Sequence, residues 1–184
     1  MVKLGIICEG ESETVIFNSA SFISFLQTMN IELVAVQETG SKNQFYGGRI
    51  NSHRQILIDK GASCVLALLD LDKVECITIT KQKMSAFTNQ EIVVAVKEFE
   101  NWYLADSKAL SSFLTKVISV DYPEIYDEPI DEMIKLNGKT FAKSKPRLAK
   151  KMLNAGFSIQ NAANHPNCPS ANYFLTKLKS IANN

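Results

Sequence analysis

CVLALLDLDKVEC, residues 64–76, decides how this chain is read. Six apolar or small residues, Cys64 to Leu69, run straight into Asp70-Leu71-Asp72. A short unbroken apolar run that ends in charge reads as a strand buried on both faces, as in a parallel sheet. Two acids at the end of such a strand need a reason to be there.

Working outward, VKLGIIC (Val2–Cys8) is a second such run and ends at Glu9-Gly10. Glu11 or Ser12 opens a helix whose positions Val15, Ile16, Ser19, Phe22, Ile23 and Leu26 follow helical spacing. IELVAVQ (Ile31–Gln37) is another strand, and a polar loop with Gly40, Gly47 and Gly48 leads to a helix over Arg49–Lys60, closed by Gly61. IVVAV (Ile92–Val96) is the fourth strand, with a helix expected over Ile77–Phe87 before it. Apolar strands alternating with helices give parallel β-α-β units. The expected fold is α/β: a Rossmann-like core over residues 1–106 with a four-stranded, mainly parallel sheet. Residues 107–184 read as a helical, basic extension of the same domain, ending in a helix over CPSANYFLTKLKSIA with Ser170 as its cap.

Composition limits the function classes. A chain of 184 residues, 46% hydrophobic and 21% charged, suits one globular domain. No run is long enough for a membrane span, and the amino terminus has no secretory pattern. Four cysteines without CxxC spacing read as reduced thiols, so a cytoplasmic location is expected. The net charge of +1 is unevenly spread: residues 1–106 carry 13 acidic and 9 basic side chains, while Met133–Asn184 holds nine Lys or Arg and no acid. Such a basic third attracts a polyanion, although a solvated lysine-rich helix face would look the same.

In an open parallel sheet, ligands bind beyond the carboxyl ends of the strands. Glu9, Asp70 with Asp72, and Glu98 with Glu100 all fall there. Residues i and i+2 of an extended segment point the same way, so Asp70 and Asp72 are expected to hold one ion between them. Gathered carboxylates repel, and a hard cation such as Mg²⁺ or Mn²⁺ relieves the repulsion. Any single acid here could instead cap a following helix. Three acidic strand ends, one of them a DxD pair, favour the metal.

These residues carry a family resemblance. Glu9-Gly10-Glu11-Ser12-Glu13 and Leu69-Asp70-Leu71-Asp72 resemble the two signatures of the TOPRIM domain, the metal-binding fold of topoisomerases, primases and OLD-type nucleases. The EGxSE form is similar to the OLD-type arrangement. Val96-Lys97-Glu98-Phe99-Glu100-Asn101-Trp102-Tyr103-Leu104-Ala105-Asp106, with Gly138-Lys139, Lys143-Ser144-Lys145-Pro146 and Cys168-Pro169-Ser170, resembles a family of unknown function assigned to that superfamily. The resemblance implies that Glu9 is a metal ligand or the general acid/base beside it, and that Glu13 completes the first site. It implies that Asp70 and Asp72 hold the metal, with Glu100 the best further ligand and Glu98 and Asp106 weaker ones. Lys143 or Lys145 would contact phosphate. Many TOPRIM sites place another acid two residues after the DxD; here Val74 stands there, so a second ion would need Glu75 or the Glu98/Glu100 pair.

The implied activity is Mg²⁺- or Mn²⁺-dependent hydrolysis of nucleic acid, DNA first, in antiphage defence or repair with a separately encoded ATPase partner. The alternative is a non-catalytic TOPRIM-fold module that binds nucleic acid or protein. Oligomeric state is open. Tyr46, Tyr103, Tyr122, Tyr126 and Tyr173 have no context that marks a nucleophile, so hydrolysis is preferred over strand passage. His165-x-x-Cys168 is too little for zinc, no GxSxG or Walker loop is present, and a receiver domain would carry its acidic pair after the first strand.

Overall fold

The computed structural model describes residues 1–72, 76–141 and 144–183. Its sheet holds β1 (Val2–Cys8), β2 (Ile31–Glu38), β3 (Cys64–Asp70) and β4 (Gln90–Ala95) in the order β2-β1-β3-β4, every neighbouring pair parallel. The fold is therefore α/β, as the apolar runs imply. Between β1 and β3 the strand order reverses. Loops leaving those two strands part in opposite directions and open a crevice at their carboxyl ends.

Period-two alternation divides the strand residues between two cores. Leu66 and Leu68 of β3, Leu4, Ile6 and Cys8 of β1, and Val93 and Ala95 of β4 face the larger core. Val65, Ala67, Leu69, Ile7 and Val94 face a smaller core under α3 (Ile50–Asp59), which contributes Ile50 and Leu57. Gly5 is glycine because α3 lies so close: a Cβ there would stand 2.8 Å from Leu57. Asp70 continues the Leu66, Leu68 series and so faces the larger core.

That core is covered by α1 (Glu11–Phe17), α2 (Ala20–Thr28) and the later helices α5 (Asn101–Ala105), α6 (Ser107–Leu114), α7 (Pro129–Asn137), α8 (Lys145–Asn154), α9 (Ile159–Ala163) and α10 (Pro169–Ala182). Aromatic rings join its early and late parts. Phe17 stacks on Phe174 with centroids 5.7 Å apart, and Trp102 meets Phe99 at 4.8 Å and Phe174 at 5.5 Å. Truncating a buried ring of this kind costs about 3–5 kcal/mol. Phe99, Trp102, Tyr103 and Leu104 are all fully buried, so the stretch that carries Glu98 and Glu100 is anchored by its own apolar residues.

Three local expectations are corrected. The first helix is two: Asn18 and Ser19 interrupt it, because the Ser19 hydroxyl donates to Ile16 O at 2.6 Å and accepts from Phe22 N at 3.2 Å, capping α2. The helix after β3, α4, spans only Ile77–Gln82; Met84 then bridges to Gly47. Ser170 does not cap α10. Cys168 is the cap residue, and the carboxylate of Glu124 accepts from the Ser170 N–H at 3.1 Å and from its hydroxyl, so the helix end is satisfied from a distant loop.

Candidate functional site

β1 ends at Cys8, and Glu9 and Gly10 lead into α1. The segment after β2 stays paired with this turn: Thr39 N donates to Cys8 O at 3.0 Å and Gly40 N to Glu9 O at 2.9 Å. Lys42 is thereby brought over the crevice, where its backbone N–H bonds the Glu9 carboxyl. Glu13 lies one turn into α1 and is buried. Asp70 ends β3, and its Oδ1 accepts from Phe99 N at 2.9 Å, which ties it to the segment after β4. Glu100 immediately precedes α5 and is 1% exposed. From the solvent side, at the start of α8, the Lys145 ammonium reaches Glu100 at 3.1 Å and Glu98 at 3.2 Å. The crevice has a volume of ≈ 320 Å³, and Glu9, Glu13, Asp70 and Lys145 line it.

The electrostatics follow from crowding acids in a dry place. Burial, then the nearby Glu100, pushes the Glu13 carboxyl up to about 8. Burial, with Glu13 and Glu100 adding to it, holds Asp70 well above the usual carboxylate range. Glu9 is raised by burial and by Asp72, against the pull of Lys42. Burial alone would lower the Lys145 ammonium, but Glu100, Glu98 and Asp70 outweigh it and raise it. Two carboxylate oxygens, Glu9 Oε2 and Glu100 Oε1, are buried without a hydrogen-bond partner among the described residues.

The structure brings together Glu9, Glu13, Asp70, Glu100 and Lys145. Asp72 departs from expectation. The residue adopts φ 61, a left-handed conformation, so the extended alternation that would align it with Asp70 ends there. Its carboxylate is 53% exposed and pairs with Lys42 at 2.9 Å; it stands at the rim, still near enough to raise Glu9. Lys143, Val74 and Glu75 lie outside the described residues. Glu98 is partly exposed beside Lys145. Asp106 is no part of the cluster. It caps α6 by accepting from Ala109 N at 3.1 Å and also holds Ser158 N at 3.0 Å and Asn161 Nδ2 at 3.2 Å. Asp106→Ala is therefore expected to cost about 2–4 kcal/mol in denaturant unfolding, for a lost cap and stranded donors, without changing cation affinity measured by calorimetry. Lys42 was not legible in the sequence: it sits in a polar loop with no motif, and only the pairing of that loop with β1 places it.

The donor set suits a hard divalent cation. All candidate ligands are carboxylate oxygens, and the unpartnered Glu100 Oε1 is the kind of buried acceptor that an ion satisfies. Among the described residues no three of these side chains already stand close enough to ligate one ion.

No family model and no curated protein matches this sequence. Among solved structures, the fold resembles the C-terminal region of the Burkholderia pseudomallei OLD protein, with a TM-score of 0.50 over 97% of this chain and 98% of that one. Sequence identity is 12%, so what the two share is the fold.

Proposed function

We propose that this protein is a divalent-metal-dependent nuclease whose centre is the carboxylate crevice, with Glu9, Glu13, Asp70 and Glu100 as the residues that would hold the ion. The observation that carries this reading is Glu100: fully buried, faced by acids from two other elements, and left with an oxygen that nothing among the described residues satisfies. Bound Mg²⁺ or Mn²⁺ would polarise a phosphodiester and supply a nucleophilic water near neutral pH. The chain's own residues do the rest. Asp70, fixed by the Phe99 N–H, and Glu100, fixed by buried α5, are set on rigid elements. Arg147, Lys150 and Lys151 are exposed on α8, beyond Lys145 at the crevice, and offer charge to a phosphate backbone. Asp72 joins the centre only if it gives up Lys42.

DNA as the polyanion and a separately encoded ATPase as partner are the natural extensions of this reading. A second reading has one observation in its favour: Lys145 already supplies positive charge to the acids, as in a non-catalytic module that binds nucleic acid or protein. Titrating the purified protein with Mn²⁺ by calorimetry, then assaying labelled single- and double-stranded DNA with Mn²⁺ or EDTA, separates the two. Saturable binding and EDTA-sensitive cleavage are expected. Salt-sensitive DNA binding with no cation site would leave only the module.

A further inference from the structure

Lys145 poses a question that the nuclease reading leaves open. Its ammonium lies 3.1 Å from Glu100 and 3.2 Å from Glu98, with Asp70 near enough to hold its proton more firmly. The same Glu100 has one oxygen on Lys145 and one buried without a partner among the described residues. A purely structural ion pair would engage the buried carboxylate fully, since a stranded buried oxygen is costly. The lysine itself is 44% exposed and arrives from solvent at the first turn of α8. Its long stem can carry the ammonium back to water without leaving a hole in the core. Among the described residues, and with Lys145 on Glu98 and Glu100, no three acids are close enough to ligate an ion.

We propose that Lys145 is a tethered competitor for the divalent cation: its ammonium stands in for the ion beside Glu98 and Glu100 and must withdraw before the carboxylates close on a metal. The inference rests on the metal-centre reading above. One positive charge cannot satisfy five neighbouring acids, Glu9, Glu13, Asp70, Glu98 and Glu100, so the arrangement is held but not satisfied. A divalent ion neutralises more charge, and its net affinity is reduced by the work of displacing the lysine. Metal occupancy is then set partly by a residue that need not ligate the metal.

The test is Mn²⁺ affinity, read by calorimetry and by the loss of the free-ion electron paramagnetic resonance signal, on full-length wild type, K145M, K145Q and K145R, each checked for fold by circular dichroism. K145M and K145Q are expected to bind Mn²⁺ more tightly than wild type, by about fivefold or more, the lower end of coupling between two sites. K145R keeps the charge and is expected to stay near the wild-type value. Unchanged or weaker binding in both neutral variants overturns the competitor role and leaves the metal centre standing. Tighter binding in K145R as well overturns it too, because charge would not be the cause. If neither wild type nor any variant binds Mn²⁺, the metal-centre reading itself fails.

Discussion

Replacing Asp70 by Asn is expected to abolish divalent-metal binding and EDTA-sensitive cleavage while raising the melting temperature of the metal-free protein. Asn is nearly isosteric and keeps the Oδ1 that accepts from Phe99 N at 2.9 Å, so the tie between β3 and the segment after β4 survives. What disappears is a buried carboxyl whose ionisation is opposed by burial and by Glu13 and Glu100. Without the ion, Asn spares the fold the cost of keeping that carboxyl protonated, or of charging it, among other acids, and so stabilises it. With the ion, it removes a ligand, and the loss should exceed the roughly 10–100-fold typical of changes to groups that only support ligands. Asp72→Asn is the control. That carboxylate is exposed and bound to Lys42, so its removal should cost much less affinity. Mn²⁺ calorimetry and thermal melts in EDTA measure both halves; an Asp70→Asn protein that binds Mn²⁺ as well as wild type would sink the assignment.

The second large effect is in pH. Without metal, the protein is expected to lose stability as pH rises from about 5 to 8, opposite to the usual trend for salt-bridged acids. Glu13 is raised from 4.5 to about 8 by burial first and Glu100 second, and Asp70 and Glu9 shift the same way. A carboxyl with a raised native value holds its proton more tightly when folded. Its contribution is fully present below the unfolded value and is lost as pH climbs through the native one. Each such group is worth up to about 1.4 kcal/mol per pH unit inside that window. At about 2–4 °C per kcal/mol for a chain of this size, the melting temperature should fall by several degrees. Glu13→Gln should flatten the slope. Saturating Mn²⁺ should reverse it, because ligands must be deprotonated to bind. Melts across this range with EDTA and with Mn²⁺ decide it, and a metal-free protein that gains stability toward pH 8 contradicts the buried acid cluster.

The strands were legible because burial on both faces leaves an unbroken apolar run, and the acids were legible because they interrupt such runs at one end. Glu100 was legible only as part of a stretch; its burial depends on Phe99 and Trp102 entering the larger core. The geometry of Asp72 was not legible, since the left-handed turn that sends it to Lys42 is set by backbone pairing, Asp72 N to Lys97 O at 2.9 Å, between segments far apart in sequence. Asp106 misled for a similar reason. An acid that closes a matching stretch looks like a ligand, whereas the nearby N–H groups of α6 and Ser158 claim it. Lys145 could be counted as a basic residue, but nothing local announces that α8 sets it among acids that lie more than forty residues earlier.

The stacking of Phe174 on Phe17 has a consequence for how the protein is born. Every carboxylate of the crevice has left the ribosome once Glu100 has, yet Lys145 and the ring that closes the larger core come later. At about 5–20 residues per second, the interval from Glu100 to Phe174 is on the order of 4–15 s. For that time the nascent sheet has one face without its last cover, and for the earlier part of it, until Lys145 follows, its acids lack their ammonium. The crevice and the larger core thus mature late, in that order, and a ribosome that stalls before α8 releases the acids with no Lys145 to hold them and the core with no Phe174 to close it.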